Sequence, residues 1–250
     1  MPEFLSQALT TQGVGLLLVA VLAAGLVRGF AGFGSAMIMM PVASTVLSPF
    51  GALAFLTVVE LFGPLPNLPS ALRKGNQGDV LRLLGGAVLA LPFGLWALSR
   101  VSPELFGWAV SLIVLGLLSL LMVGWRYAKP LKPGMVVGVG GLGGFLSGIS
   151  GLAGPPVIML YMSSRLPAEV IRANFLLYLL GVDLLMILSF WLMDRLDPAA
   201  ILIGGLLVVP YVLANIIGAL LFRPGAERQF RAVAYAIIAT SAIMGLPLWS

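Results

Sequence analysis

Two glycine-rich interruptions, 119 positions apart, split this chain into halves that say nearly the same thing. The first reads Gly29-Phe30-Ala31-Gly32-Phe33-Gly34-Ser35 and the second Gly148-Ile149-Ser150-Gly151-Leu152-Ala153-Gly154-Pro155-Pro156. Gly29 matches Gly148 and Gly32 matches Gly151, both at an offset of 119. Gly85-Gly86 recurs as Gly204-Gly205 at that offset, and Pro92 recurs as Pro210 one residue out of step. Each interruption breaks a long apolar stretch and leads into a Met-rich apolar piece. One broken apolar segment per half of a duplicated chain is the pattern of secondary transporters.

Composition decides the solvent. Hydrophobic residues make up 60% of the 250 and only 9% are charged, with a mean hydropathy of +1.09. No soluble core needs that much apolar surface, so the chain reads as a multi-spanning membrane protein. Cysteine and histidine are both absent. That removes disulfides, thiolate chemistry, the commonest metal ligand and the commonest general base. The net charge of +5 sits between apolar segments. It reads as loop charge rather than a nucleic-acid surface. No Lys or Arg precedes Arg28. The basic start of a cleavable signal peptide is therefore missing, and the first apolar run is expected to stay in the membrane.

About 20 helical residues cross a ~30 Å hydrocarbon core. Clear spans are expected at 50–70, 79–99, 104–125, 167–193, 199–222 and 230–249, with ambiguous longer stretches at 9–47 and 134–164. Loop charge separates the readings. If the long stretches cross once each, one side holds Arg73, Lys74, Arg82, Arg126, Lys129, Lys132 and Arg195, and the other Arg100, Arg165, Arg172, Arg223, Arg228 and Arg231. That gives no orientation. If each doubles back at its break, only Arg100 and Arg195 remain on the second side, with Arg28 at the first hairpin tip left uncounted. The doubled-back reading follows. It makes the two halves inverted, puts both termini on the outer side, and gives hairpin legs of about 15 residues, ~22 Å at 1.5 Å per residue. Legs that short place the tips inside the membrane.

Glycine at a break lets backbone amides approach a ligand. Pro155-Pro156 suits a first helical turn. Ser35 and Ser150 add hydroxyls. A helix start presents free N–H groups and partial positive charge, so it attracts anions. Two inverted hairpins bring two such starts toward one another. The candidate substrate-binding residues are Arg28, Gly29, Gly32, Gly34, Ser35, Gly148, Ser150, Gly151, Gly154 and Pro155. The competing reading of the glycines is close helix packing. Glu60 and Asp183 lie inside apolar segments, where a charge costs ~3 kcal/mol. They are the proton-coupling candidates; the alternative for either is a structural pairing with Arg28, or a neutral buried acid holding a hydrogen bond. Asn67, Asn174 and Asn215 are weaker pathway candidates, equally explained by interhelical hydrogen bonds.

Other motifs fall away. Gly148-Ile149-Ser150-Gly151 fits the G-x-S-G pattern of membrane serine proteases, but no histidine can serve as base. Gly138-Val139-Gly140-Gly141-Leu142-Gly143 fits a dinucleotide fingerprint without the strand it requires. Met37, Met39, Met40, Met159 and Met162 read as adaptable packing rather than a copper site. The basic loops read as topology signals, with contact to anionic lipid open. No G-x-x-x-x-G-K-[ST] loop is present. Pumping driven by ATP on this chain alone is thereby excluded.

Gly25-Leu26-Val27-Arg28-Gly29-Phe30-Ala31-Gly32-Phe33-Gly34, the following Pro41 and the second glycine pattern resemble the TauE/SafE family of sulfite exporters. The length, the half-repeat and Arg172-Ala173-Asn174-Phe175 fit that family, and the resemblance covers essentially the whole chain. Gly151-Leu152-Ala153-Gly154 is sparser in glycine than in many members, and Ser35-Ala36 stands where a proline would follow the first break. The resemblance implies a bacterial inner-membrane transporter for sulfite or related sulfur-containing anions, organosulfonates included.

The expected fold is an all-α integral membrane protein of two inverted-topology repeats, 1–128 and 129–250, in one membrane domain. Each repeat is a broken, re-entrant-like hairpin plus three transmembrane helices: about ten segments, or eight if each hairpin counts once. The expected function is secondary transport by alternating access, with a passive anion channel as the alternative and a membrane enzyme as the weaker one. No enzyme activity, cofactor, metal or nucleic acid is expected. The expected partners are a small anionic substrate and membrane lipid, with a homo-oligomer open.

Overall fold

A computed structural model describes residues 13–123, 131–161, 164, 166–221 and 227–248. Arg126, Lys129, Met162, Arg165 and Arg223, and the expected boundary at 128, lie outside the described residues. Eleven α-helices and no strand are found among the described residues. In chain order they are α1 (Val14–Ala31), α2 (Ser35–Val46), α3 (Pro49–Phe62), α4 (Leu68–Lys74), α5 (Gln77–Leu98), α6 (Pro103–Val123), α7 (Pro133–Ser150), α8 (Gly154–Tyr161), α9 (Ala168–Leu192), α10 (Pro198–Leu221) and α11 (Glu227–Met244). Six are long and apolar enough to cross a membrane: α1, α5, α6, α7, α9 and α10. This is an all-α, multi-pass membrane protein. The expected span 230–249 corresponds to α11, which does not join the six; Glu227, Arg228 and Arg231 crowd its first turns.

Both breaks fall where glycine predicts them. Gly32 (φ 80°) and Gly34 (φ 96°) are left-handed, and the Gly32 N–H closes α1 onto the Arg28 carbonyl at 2.8 Å. Gly151 (φ 76°) closes α7 in the same conformation, its N–H on the Ser147 carbonyl. A side chain in that region costs ~1–2 kcal/mol, which is why glycine holds these turns. The legs are unequal. The first legs, α1 and α7, have 18 residues each, while α2 has 12 and α8 only 8.

One expected span is broken. Residues 50–70 form α3, a 3-10 turn at Leu65–Asn67, and the start of α4. Gly63-Pro64-Leu65-Pro66 ends α3, because proline lacks the N–H that the helix needs and restricts the residue before it. The other boundaries follow local signals. Ser48 accepts from the Gly51 N–H at 3.1 Å ahead of Pro49. Asn76 caps α5 by accepting from the Asp79 N–H at 3.1 Å. Asp197 accepts from the N–H groups of Ala199 and Ala200 at the start of α10. Each such cap is worth ~1 kcal/mol.

The helices gather into two compact units, each drawing on both halves of the chain. The first unit contains α1, α2, α3, most of α6, α10 and α11. Within it α1 packs on α10, α3 packs on α10, and α2 packs on α1, α3 and α11. Its core is built around Leu17, Val21, Met37, Ile38, Met39, Met40, Leu53 and Phe55, none more than 1% exposed. The methionines are thus packing residues here. The second unit contains α4, α5, α7, α8 and α9. Within it α7 packs on α5, α8 packs on α7, and α9 packs on α4 and α5. The same relation recurs inside each unit: a hairpin's long leg lies on a helix with an internal proline. That helix is α10 (Pro210) in the first unit and α5 (Pro92) in the second.

Candidate functional site at the first helix break

The two left-handed glycines turn the chain so that Ser35, at the start of α2, meets Arg28 in the last turn of α1. Arg28 Nη1 donates to Ser35 Oγ at 3.0 Å. It also reaches Oε1 of Glu60, in the last turn of α3, at 3.1 Å. The Ser35 hydroxyl donates to the same Glu60 oxygen through a short hydrogen bond. Both donors converge on one carboxylate oxygen. The Arg28 and Glu60 side chains are 13% and 8% exposed, and Ser35 is buried. Tyr211, on α10, is fully buried beside the cluster, in electrostatic contact with Arg28 and Glu60 and with its hydroxyl within hydrogen-bonding reach of Ser35 and Arg28.

Isolated, either charge would be costly at this depth; paired and hydrogen-bonded, the cluster is neutral. The carboxylate of Glu60 thus faces a guanidinium and the hydroxyl of the first residue of α2.

A scan against family models matches the sulfite exporter family TauE/SafE over residues 17–245. The chain belongs to the TauE/SafE family. A curated relative from Cupriavidus necator, described as a probable sulfite/organosulfonate exporter TauE, is 28% identical over 219 residues, covering 83% of each chain. No solved structure matches. Membership in TauE/SafE makes this a protein of a membrane-transport family, in agreement with its six apolar helices.

The second break of this TauE/SafE member is built differently. Ser147 stands where the repeat would place an equivalent of Arg28. Ser150 is fully buried, and its hydroxyl donates to the Leu146 carbonyl of its own helix at 2.7 Å. Pro155 is buried in the first turn of α8, and a Cβ on Gly154 would lie 3.1 Å from the Phe175 ring. Asn174 is fully buried; it accepts from the Asn76 N–H at 2.7 Å and donates to the Tyr161 hydroxyl at 3.2 Å. It ties α9 to the start of α5 and to α8. Asp183 is half-buried on α9.

Gly29 and Gly148 serve close packing. A Cβ on Gly29 would collide with the Asn215 carbonyl of α10, and one on Gly148 would lie 2.6 Å from the Leu91 carbonyl of α5. Gly140, Gly144 and Gly148 form one stripe of α7 at four-residue spacing, all in contact with α5. This is the small-xxx-small packing of membrane helices, and it accounts for Gly140 of the apparent dinucleotide fingerprint. Asn215 takes part through its backbone. Asn67 lines a cavity of about 320 Å³ in the second unit with Ser70, Lys74, Glu169 and Arg172. There Lys74 pairs with Glu169 at 2.7 Å.

Among the sequence candidates, then, Arg28, Ser35 and Glu60 meet at one point, with Gly32 and Gly34 shaping the turn. Tyr211 was not a candidate. A tyrosine directly after an intrahelical proline, in an otherwise apolar span, was the available signal.

Proposed function

We propose that this protein is a secondary transporter of a small sulfur-containing anion, sulfite or an organosulfonate, across a bacterial inner membrane, with proton coupling through Glu60. The observation that carries this reading is the Arg28–Ser35–Glu60 cluster at the first helix break. The curated relative's name supports the cargo. When Glu60 binds a proton, Arg28 loses its counter-charge. A monovalent anion then restores neutrality at the same place. The cluster is neutral both empty, with Glu60 ionised, and loaded, with a proton and an anion together. Only these two states avoid a bare charge at depth, so proton and anion move together. Alternating access would open the loaded site to each side in turn, between two inverted repeats with both termini on the outer side.

The test is simultaneous measurement of anion flux and internal pH in proteoliposomes offered sulfite, sulfate and methanesulfonate. Sulfite or methanesulfonate flux that moves protons, and that loses its proton movement in Glu60→Gln, supports the reading. A passive channel predicts flux that follows the anion's electrochemical gradient alone, with no proton movement in either protein. A site elsewhere predicts normal coupled flux in Arg28→Gln.

A further inference from the structure

We propose that the cavity between α4 and α9 of the second unit binds the phosphate of an anionic phospholipid head group. The proposal is independent of the transport reading, since it uses none of the residues at the first break. Three successive residues of α9 build the site. Asn174 accepts from the Asn76 N–H at 2.7 Å and so fixes the chain that follows α4. Ala173 is buried and lines the cavity together with buried Ala71 of α4. Side chains that small on both helices leave a space of about 320 Å³. Arg172 is exposed at its rim. Among the described residues no hydrogen bond or ion pair holds its guanidinium.

Charge sets the class of ligand. Lys74, the last residue of α4, pairs with Glu169 in the first turn of α9. Two cations, Lys74 and Arg172, against one carboxylate leave the rim one positive charge in excess. A phosphodiester carries one negative charge and balances it. The planar fork of Arg172 suits two phosphate oxygens at once. The Asn67 amide and the Ser70 hydroxyl, exposed on the same rim, are further donors. Position points to a lipid. The 25 residues of α9 exceed the roughly 20 that cross the hydrocarbon core, so its first turn reaches the membrane surface. Leu65, just before α4, and Leu72, within it, are 43% and 53% exposed beside the basic pair Arg73-Lys74. Apolar side chains for the acyl region next to cations for the head group are what an anionic lipid meets at such an interface.

The experiment titrates the full chain, purified in a neutral detergent, with phosphatidylglycerol, with phosphatidylcholine and with inorganic phosphate. Native mass spectrometry counts the bound lipid, and thermal melting reads its effect. Phosphatidylglycerol should bind at least about fivefold more tightly than phosphatidylcholine, the effect of one cation near an anionic head group. Arg172→Gln should weaken phosphatidylglycerol about tenfold, the loss of a hydrogen bond between charged groups. Glu169→Gln frees Lys74 and raises the excess charge to two, so it should tighten binding about fivefold. These opposite signs are what a merely structural Lys74–Glu169 pair would not produce. Arg100→Gln, a basic residue stacked on Trp96 away from this cavity, should change binding less than about twofold. Equal binding of the two lipids overturns the proposal, as does an unchanged Arg172→Gln. Weakening in both Arg172→Gln and Glu169→Gln overturns it too, because the pair then only holds α4 in place. A melting shift from inorganic phosphate that Arg172→Gln removes, with no preference for phosphatidylglycerol, overturns the lipid in favour of a soluble anion. Should Glu169→Gln not insert, Arg172→Lys keeps the charge without the fork, and must bind phosphatidylglycerol between the wild type and Arg172→Gln for the proposal to hold.

Discussion

Arg28 at the end of α1 and Glu60 in the last turn of α3 sit 3.1 Å apart, with side chains only 13% and 8% exposed. On the proposed reading the pair has two separable roles, holding the first unit together and presenting a neutral site. Removing one partner strands the other, a loss of about 3–5 kcal/mol for a buried pair. Replacing both with apolar residues is often close to neutral for stability. Arg28→Met and Glu60→Met should each lower the melting temperature in detergent. The double variant should recover most of that loss yet transport nothing. A double variant as unstable as the singles would show that the pair is not what stabilises this region.

Ser35 and Ser150 test whether the two breaks are equivalent. The Ser35 hydroxyl joins Arg28 to Glu60, whereas the Ser150 hydroxyl bonds the carbonyl four residues back in its own helix. A hydroxyl of that second kind contributes little to helix stability. Ser35→Ala should therefore cut flux at least about tenfold, the loss of a charge-assisted hydrogen bond. Ser150→Ala should stay within about twofold, while the bulkier Ser150→Leu, forced into a fully buried position, should abolish flux. Comparable losses for the two alanine variants would give the second break an equal part in binding.

Glycines of the packing stripes should behave differently from glycines in open space. Gly148→Ala pushes a methyl group to 2.6 Å from the Leu91 carbonyl, and Gly29→Ala collides with the Asn215 carbonyl. Each should destabilise its unit by about 1–3 kcal/mol, the usual range for overpacking. A Cβ on Gly85, on α5, meets nothing within 4 Å. Gly85→Ala should leave the yield of folded protein unchanged or improve it. Size-exclusion profiles after detergent extraction read out all three.

Asn174 gives the same contrast between structure and site. Its side chain satisfies the Asn76 N–H and the Tyr161 hydroxyl, both inside the second unit. Asn174→Leu leaves those two groups unpaired, about 1–3 kcal/mol for each that is buried. We expect a lower melting temperature with an unchanged KM for the anion. A raised KM at unchanged stability would place Asn174 on the anion's path.

What was legible in the chain follows from how local each signal is. The breaks were legible because a left-handed turn needs glycine at Gly32, Gly34 and Gly151, and that need is written in the residue itself. The spans at 77–98, 103–123, 168–192 and 198–221 lie within a few residues of their expected limits, since apolar runs and capping residues mark both ends. The break in 50–70 was written just as locally, in Gly63-Pro64-Leu65-Pro66, and the apolar average hid it. The roles of Gly29 and Gly148 were not legible, because they depend on which helix lies opposite. The Arg28–Glu60 contact was visible only as one of several readings open equally to Glu60 and Asp183, since 32 residues separate the pair and only the fold closes that gap. Tyr211 gave least away: Tyr161 and Tyr178 are as fully buried, and composition does not say which hydroxyl lies beside Arg28 and Glu60.

The neutrality of the cluster makes a prediction about voltage. If one proton on Glu60 accompanies one monovalent anion on Arg28, a full transport step moves no net charge. Moving one elementary charge across the membrane is worth about 2.3 kcal/mol per 100 mV. A channel or uniporter for the same anion would therefore change its accumulation ratio about 50-fold when 100 mV is imposed. The coupled protein should change by less than about twofold under that potential, and respond instead to the pH gradient. Clamping proteoliposomes with potassium and valinomycin while following methanesulfonate separates the two outcomes. Glu60→Gln sharpens the contrast, because its cluster carries +1 when empty and is neutral with the anion alone. Whatever flux that variant retains should have become voltage-dependent. Voltage-independent flux in Glu60→Gln would mean that the compensating proton travels on another group.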